Sequence, residues 1–291
     1  MSSGPLILGF PTYSTAARRL ADKAALGYEE VVVHRFPDGE SQVRLPAVLP
    51  DEVVFCLSLD DPNDKLVELE LAASVARELG ARHLTLVAPY LCYMRQDMAF
   101  HPGEAVSQRI IGALLARHFE TVITVDAHLH RTAELSAAVP VPRAVTLSAA
   151  AVIGDWLAKR GGQPLLLGPD GESAQWVRRA AAAGGFDWGV AHKDRFGDRD
   201  VRVTLPAIDV SGRDVVLVDD VASTGHSLAA AARLLRDRGA TSIEVAVTHA
   251  LFVGDAMDLL RDAGVGGIHS TDSVPHPTNA LSLDRLLASA L

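Results

Sequence analysis

The sequence predicts an α/β protein of two similar halves, each a parallel sheet with helices on both faces. Three observations lead there. Short apolar runs alternate with helix-period segments along the whole chain, the pattern of strands joined by crossover helices. Several runs, such as Val215-Val216-Leu217-Val218, are continuously aliphatic, as in strands covered on both faces. One unit also repeats. Val53-Val54-Phe55, then Asp60-Asp61, a helix, Leu79-Gly80-Ala81 and a strand are echoed by Val215-Val216-Leu217, Asp219-Asp220, a helix, Arg238-Gly239-Ala240 and a strand.

Taken in order, strands are expected at 6–10, 30–34, 53–57, 84–88, 122–125, 165–167, 188–191, 215–218 and 243–247. Helices are expected at 64–79, 148–159 and 228–238, stopped by Gly80, Gly161 and Gly239. Val139-Pro140-Val141-Pro142 reads as a linker. The first domain is therefore placed at 1–142 and the second at 143–275, with 276–291 as a C-terminal helix able to pack back on the first.

Composition narrows the function classes. The 291 residues hold 27 basic and 36 acidic side chains, a formal net charge of −9, with 48% hydrophobic residues. That is enough apolar material for ordinary cores, and the length suits two domains. The acidic balance argues against a general nucleic-acid binder. No apolar run reaches the ~18 residues of a membrane span, and the first ten residues lack a basic leader region, so a cytoplasmic protein without a membrane partner is expected. Cys56 and Cys92 each sit in an apolar run and are expected as buried thiols.

The strongest local signal is Val215-Val216-Leu217-Val218-Asp219-Asp220-Val221-Ala222-Ser223-Thr224-Gly225-His226-Ser227. A buried strand leads into two carboxylates, a short polar loop and a helix. A helix N-terminus presents backbone N–H groups and the positive end of its dipole, and Ser223, Thr224 and Ser227 add hydroxyl donors. This is a cradle for a phosphate monoester. The paired acids before it suit vicinal sugar hydroxyls.

This segment resembles the ribose-5-phosphate loop of type I phosphoribosyltransferases and of ribose-phosphate diphosphokinases, which make phosphoribosyl diphosphate (PRPP). Further segments resemble the diphosphokinases specifically. Phe36-Pro37-Asp38-Gly39-Glu40 looks like their nucleotide loop, and Arg95-Gln96-Asp97 like their ATP-contacting segment. Pro62-Asn63-Asp64-Lys65 resembles the opening of their next helix. Val125-Asp126-Ala127-His128 and Gly168-Pro169-Asp170-Gly171 resemble the segments supplying a metal-binding His and Asp. Lys193-Asp194-Arg195 looks like the Lys-x-Arg of the catalytic loop, and Thr248-His249-Ala250-Leu251-Phe252 like the strand near the end of the second half.

The resemblance implies two phosphoribosyltransferase-like domains and transfer of the diphosphoryl group of ATP to the C1 hydroxyl of ribose 5-phosphate. It implies Lys193 and Arg195 as catalytic cations. ATP would meet Phe36, Asp38, Gly39, Glu40, Arg95, Gln96 and Asp97. Ribose 5-phosphate would meet Asp219, Asp220, Ser223, Thr224, Gly225, His226 and Ser227. Two polyanionic substrates on a chain of charge −9 call for a divalent cation, Mg²⁺, with His128 and Asp170 as its ligands. A homo-oligomer is implied as well. The alternatives are a phosphoribosyltransferase that consumes PRPP and a non-catalytic paralogue of a synthetase. Three departures stand out. His226 replaces a family Gly where φ is expected to be positive, Met98-Ala99-Phe100 replace basic residues, and Glu172 replaces a Gly. His130 has no family counterpart, and its role is open.

Overall fold

The computed structural model describes residues 4–129, 131–195 and 201–291; of 192–195 and 201–203 it describes the backbone only. Two compact units emerge. One comprises the residues up to Leu147 with Ser273–Pro275 and Ser282–Leu291, the other Ser148–Asp272 with His276–Leu281.

In chain order the first unit carries β1 (Leu6–Gly9), α1 (Ser14–Ala24), β2 (Gly27–Glu30), β3 (Val32–Arg35), β4 (Ser41–Arg44), β5 (Glu52–Cys56) and α2 (Pro62–Glu78). Then come β6 (His83–Val87), α3 (Ser107–Leu115), β7 (Thr121–Val125), α4 (Leu135–Ala138) and β8 (Arg143–Leu147). Its sheet has the order β2-β1-β5-β6-β7-β8 and is parallel throughout. β3 and β4 form a separate antiparallel hairpin.

The second unit carries α5 (Ala150–Arg160), β9 (Leu165–Gly168), α6 (Ala174–Gly184), β10 (Trp188–Val190), β11 (His192–Arg195), β12 (Val201–Thr204) and β13 (Asp214–Ala222). Then come α7 (His226–Asp237), β14 (Ser242–Ala250), α8 (Ala256–Asp262), β15 (Gly267–Thr271) and β16 (Asn279–Leu281). Its parallel sheet runs β10-β9-β13-β14-β15-β16, with β11–β12 as the separate hairpin. The last helix, α9 (Asp284–Ala288), packs against α1 in the first unit, where Arg143 Nη2 also donates to Ala290 O at 2.6 Å.

The aliphatic runs explain the layering. Side chains of a strand alternate between faces. Leu165, Leu167, Val215, Leu217, Val245 and Val247 meet Ala229, Ala232 and Leu235 of α7 on one face. Leu166, Val216, Val218 and Ala246 meet Ile153 and Leu157 of α5 and Trp176 and Val177 of α6 on the other. Each large aliphatic side chain so buried contributes roughly 1.5–3 kcal/mol. Cys56 and Cys92 are buried, as expected.

The sequence reading needs correcting at four places. Residues 276–291 are not one C-terminal helix, since Asn279–Leu281 add the edge strand β16 to the second sheet and the helix is only Asp284–Ala288. Residues 30–34 are not one strand. Val31, 1% exposed, still donates its N–H to Gly9 O, and the chain then leaves the sheet into β3. Residues 143–147, read as following directly on a linker, form the sheet-edge strand β8. The echoed acid pairs are also not equivalent. Val53 and Val215 hold the same register position, facing Leu6 and Leu84 in one sheet and Leu165 and Ile243 in the other. Asp219-Asp220 stand four and five residues beyond Val215; in the first unit those positions are Leu57-Ser58, and Asp60-Asp61 lie further on.

Candidate active site

The acid pair and the loop after it lie at the carboxyl end of β13, where open α/β sheets bind ligands. β13 and β14 stay paired to the register Ala222↔Ala250, which carries both acids to the tip of the sheet. Asp220 is 3% exposed, and Asp219 is half-buried. The amide of Asp220 donates to Asp219 Oδ1 at 3.0 Å, and the amide of Val221 to Asp220 Oδ1 at 2.8 Å.

Asp170 faces this pair because β9 lies beside β13, with Leu167 opposite Leu217. Its own carboxylate accepts from the Glu172 amide at 3.1 Å, and its carbonyl accepts from Ser173 Oγ at 2.6 Å. Gly168 permits the turn; a Cβ there would sit 2.2 Å from Ser173 Oγ. Burial first, then the charges of Asp220 and Asp170, push the Asp219 carboxyl well above the usual carboxylate range. Three acids held this close are stabilised by hydroxyl donors or a cation.

The loop 223–225 then turns into α7. Its left-handed residue is Gly225, at φ +74°, immediately before the first helical residue. The glycine requirement therefore falls on a position that retains glycine. His226 opens the helix and needs no positive φ, contrary to the sequence expectation. It is exposed, and its Nδ1 lies 3.2 Å from Thr224 O, an acceptor, so the proton is assigned to Nδ1.

In the first unit the segment Phe36-Pro37-Asp38-Gly39-Glu40 is the tip of the β3–β4 hairpin. Phe36 N donates to Glu40 O at 2.8 Å, Gly39 N to Phe36 O at 2.9 Å, and Glu40 N to Asp38 Oδ1 at 3.2 Å. The tip residues are exposed, as a ligand-facing loop requires. The imidazole of His34 stands edge-on to the Phe36 ring at 4.8 Å. Arg35 pairs with Asp64 of α2 at 2.5 Å, and Ser41 Oγ donates to Glu68 Oε1 at 3.1 Å, so α2 anchors the hairpin.

Arg95 is exposed, and Gln96 Oε1 accepts from Ser107 Oγ at 2.6 Å. Asp97 holds the backbone N–H of Arg131 at 3.1 Å and its guanidinium at 3.2 Å, with a carboxylate side chain only 4% exposed. Of the proposed metal ligands, His128 follows β7 and is half-buried, and Asp170 belongs to the second unit. Among the described residues no cluster of three or more His, Cys, Asp and Glu stands ready as a protein-only metal cage. Lys193 and Arg195 lie two apart on β11, paired with Val203 and Val201 of β12. Their side chains lie outside the described residues, as does His130. Among the described residues no helix is long and apolar enough to cross a membrane.

Sequence reasoning missed His34, Arg35, Glu68, Arg131 and Val253, and it read Asp64 and Leu251-Phe252 only as family-like segments, not for the contacts they make. They act through neighbours distant in sequence, and nothing local announces them.

Residues 6–118 match the N-terminal domain of ribose phosphate pyrophosphokinase, and residues 142–260 the phosphoribosyl transferase domain. The chain is 37% identical to ribose-phosphate pyrophosphokinase of Methanopyrus kandleri over 277 residues, 94% of each chain. It belongs to the ribose-phosphate pyrophosphokinase family. Ribose-phosphate pyrophosphokinase 2 of Archaeoglobus fulgidus is 35% identical, over 97% of this chain and 98% of that one. The crystal structure of phosphoribosylpyrophosphate synthetase from Mycobacterium smegmatis superposes with a TM-score of 0.82 at 24% identity, over 99% and 97% of the two chains, and shows the pyrophosphokinase fold.

Proposed function

We infer that this family member is an ATP-dependent ribose-phosphate pyrophosphokinase. It transfers the β,γ-diphosphoryl group of ATP to the C1 hydroxyl of ribose 5-phosphate, giving PRPP and AMP. One observation carries the reading: both family halves are present in order, at 37% identity across nearly the whole chain, and the second half keeps the acid pair and phosphate loop at its sheet tip. A phosphoribosyltransferase needs only that second half.

The first unit takes the nucleotide. Phe36 offers a ring to the base, and Asp38, Glu40, Arg95 and Gln96 offer polar contacts. The second unit takes the sugar phosphate. The amides of 223–227 and the hydroxyls of Ser223, Thr224 and Ser227 receive the phosphate, with the α7 dipole behind them. Asp219 and Asp220 accept hydrogen bonds from the ribose hydroxyls. In the reaction the C1 oxygen bonds to the β-phosphorus, the bridge to the α-phosphate breaks, AMP leaves, and the hydroxyl proton is released. Lys193 and Arg195 neutralise charge as it develops.

The oxygen-rich donor set and the repulsion among Asp170, Asp219 and Asp220 fit a hard cation that keeps most of its waters. Asp170, beside the acid pair, would serve Mg²⁺, which would supply charge neutralisation to the phosphates, and His128 is the first unit's own candidate ligand. We further propose that the chain works as a homo-oligomer, which sedimentation velocity tests. The decisive assay mixes protein, ribose 5-phosphate, ATP and Mg²⁺. AMP and PRPP in equal amounts support the reading. Consumption of PRPP with a base identifies a phosphoribosyltransferase, and no turnover of either kind leaves the non-catalytic paralogue.

A further inference from the structure

Among the described residues five non-glycine residues have positive φ: Ala25, Asp61, Tyr93, Asp126 and Phe252. Ala25 is an ordinary left-handed helix stop after α1. The other four all lie in the segments that follow β5, β6, β7 and β14, beyond the carboxyl ends of the strands. Conformations of this kind cost on the order of 1–3 kcal/mol each and persist where surrounding structure demands them. Phe252, at φ +30°, is the one in the second unit and carries a bulky aromatic side chain, for which a positive φ is a genuine outlier.

The demand on Phe252 is visible. After β14 the chain does not turn away from β13. The amides of Leu251 and Phe252 both donate to Ala222 O, at 3.0 and 2.9 Å, and the amide of Val253 donates to Ser223 O at 3.0 Å. Three consecutive N–H groups thus grip the two carbonyls that open the sugar-phosphate loop. No regular strand places two successive amides on one acceptor, and the left-handed turn at Phe252 does. The ring is held in turn. It packs against the second-unit core and lies 5.1 Å from the His276 ring. His276 is fixed by Thr278, whose Oγ1 is 2.8 Å and whose amide is 3.3 Å from Nδ1. Its own amide donates to Asn279 Oδ1 at 2.9 Å. Directly after this grip, α8 sets Ala256 and Leu260 behind Gly225, where a Cβ would meet them at 3.4–3.6 Å.

We propose that Phe252 is a positioning residue for sugar-phosphate binding: its left-handed backbone, held by the His276 contact, fixes the carbonyl side of the loop 222–223 so that the amide side faces the ligand. The proposal rests on the assignment of this loop to ribose 5-phosphate. Phe252 touches no reacting atom in this account. It acts through Ala222 and Ser223.

The test is calorimetric binding of ribose 5-phosphate alone and of ATP alone, with thermal melts, on the full-length wild type, Phe252→Ala, His276→Leu and Ile268→Ala. Ile268 packs on the same core from β15, away from the loop, and controls for lost packing. Phe252→Ala should weaken ribose 5-phosphate about tenfold, since a ~1 Å misplacement of a site group can cost on the order of 10²-fold and a smaller shift correspondingly less. His276→Leu should shift affinity in the same direction by a smaller factor. ATP affinity should stay within twofold in both variants, and Ile268→Ala should lower the melting temperature without changing ribose 5-phosphate affinity. Unchanged ribose 5-phosphate affinity in the two test variants, equal weakening of both substrates, or equal weakening by Ile268→Ala overturns the proposal. Where Phe252→Ala does not fold, His276→Leu decides alone by the same criteria. A wild type that does not bind ribose 5-phosphate overturns the loop assignment itself, a separate outcome.

Discussion

The two units share one strand order and one accessory hairpin, yet the loop after the third strand in that order differs chemically between them. In the second unit the strand runs nine residues and delivers Asp219 and Asp220 to its tip. In the first the corresponding strand runs five residues, and the same positions hold Leu57, fully buried, and Ser58, 1% exposed. Both loops place a left-handed residue just before the helix, Gly225 in one and Asp61 in the other. Beyond Asp61, however, the ammonium of Lys65 donates to Ser58 O at 3.0 Å and to Asp60 Oδ1 at 2.8 Å. The second loop gathers like charges, with Asp220 and Asp170 raising the Asp219 carboxyl, whereas in the first a lysine pairs with both the acid and the carbonyl. Topology brings a loop to the right place; side chains decide whether it recruits a ligand.

The largest effect should come from the hairpins, which occupy the same place in each half. Lys193→Ala or Arg195→Ala should lower kcat by about 10²-fold or more with modest change in either KM, the pattern of a contact made in the transition state. Phe36→Ala in the other hairpin should act mainly on the KM for ATP. Steady-state kinetics on the three variants checks this, and a common phenotype would break the division between a catalytic and a nucleotide hairpin.

Next in size is the loop itself. Asp220→Asn and Thr224→Val should raise the KM for ribose 5-phosphate about tenfold, the size of one lost hydrogen bond to a charged group, and leave the KM for ATP in place. The corresponding change in the first unit, Lys65→Met, should leave both KM values alone. It should destabilise the protein by about 1–3 kcal/mol, because it strands a buried carbonyl and a partly buried acid. A chemical denaturation curve measures this. A rise in ribose 5-phosphate KM with Lys65→Met would mean that the first loop also serves the sugar phosphate.

The smallest effect is a pH drift. The Asp219 carboxyl is raised in the folded protein above its unfolded value near 3.8, so the folded state holds the proton more tightly. Its contribution is complete below that value and is lost as pH rises toward the raised one. Melting temperatures of the ligand-free protein should therefore carry a component that falls with rising pH, and Asp219→Asn should remove it. An unchanged profile would mean that the three acids do not repel as described.

Much of this was legible in the sequence because burial writes itself as aliphatic runs. β5, β6, β7, β9, β13 and β14 lie inside their sheets and announce themselves. The hairpin β11–β12 did not, since Lys193-Asp194-Arg195 reads as a charged loop and its strands pair only with each other. β8 was hidden because an edge strand is only half-buried and this one follows Pro142. The acid pair and the loop after it were legible because two carboxylates after a buried strand are conspicuous. Asp97 was legible as a position but not in its conformation, since its tie to Arg131 spans 34 residues. The echo between Asp60-Asp61 and Asp219-Asp220 misled because composition repeats more readily than register.

The left-handed turn at Gly225 has a consequence for how this loop can change over generations. The loop 223–225 has one conformationally demanding position, and it is confined to Gly225. The neighbour, His226, is the first residue of α7 and needs no positive φ. Sequence drift at 226 is therefore free of the left-handed requirement that Gly225 carries. A lineage can change the side chain at 226 while the left-handed turn at Gly225 stays as it is.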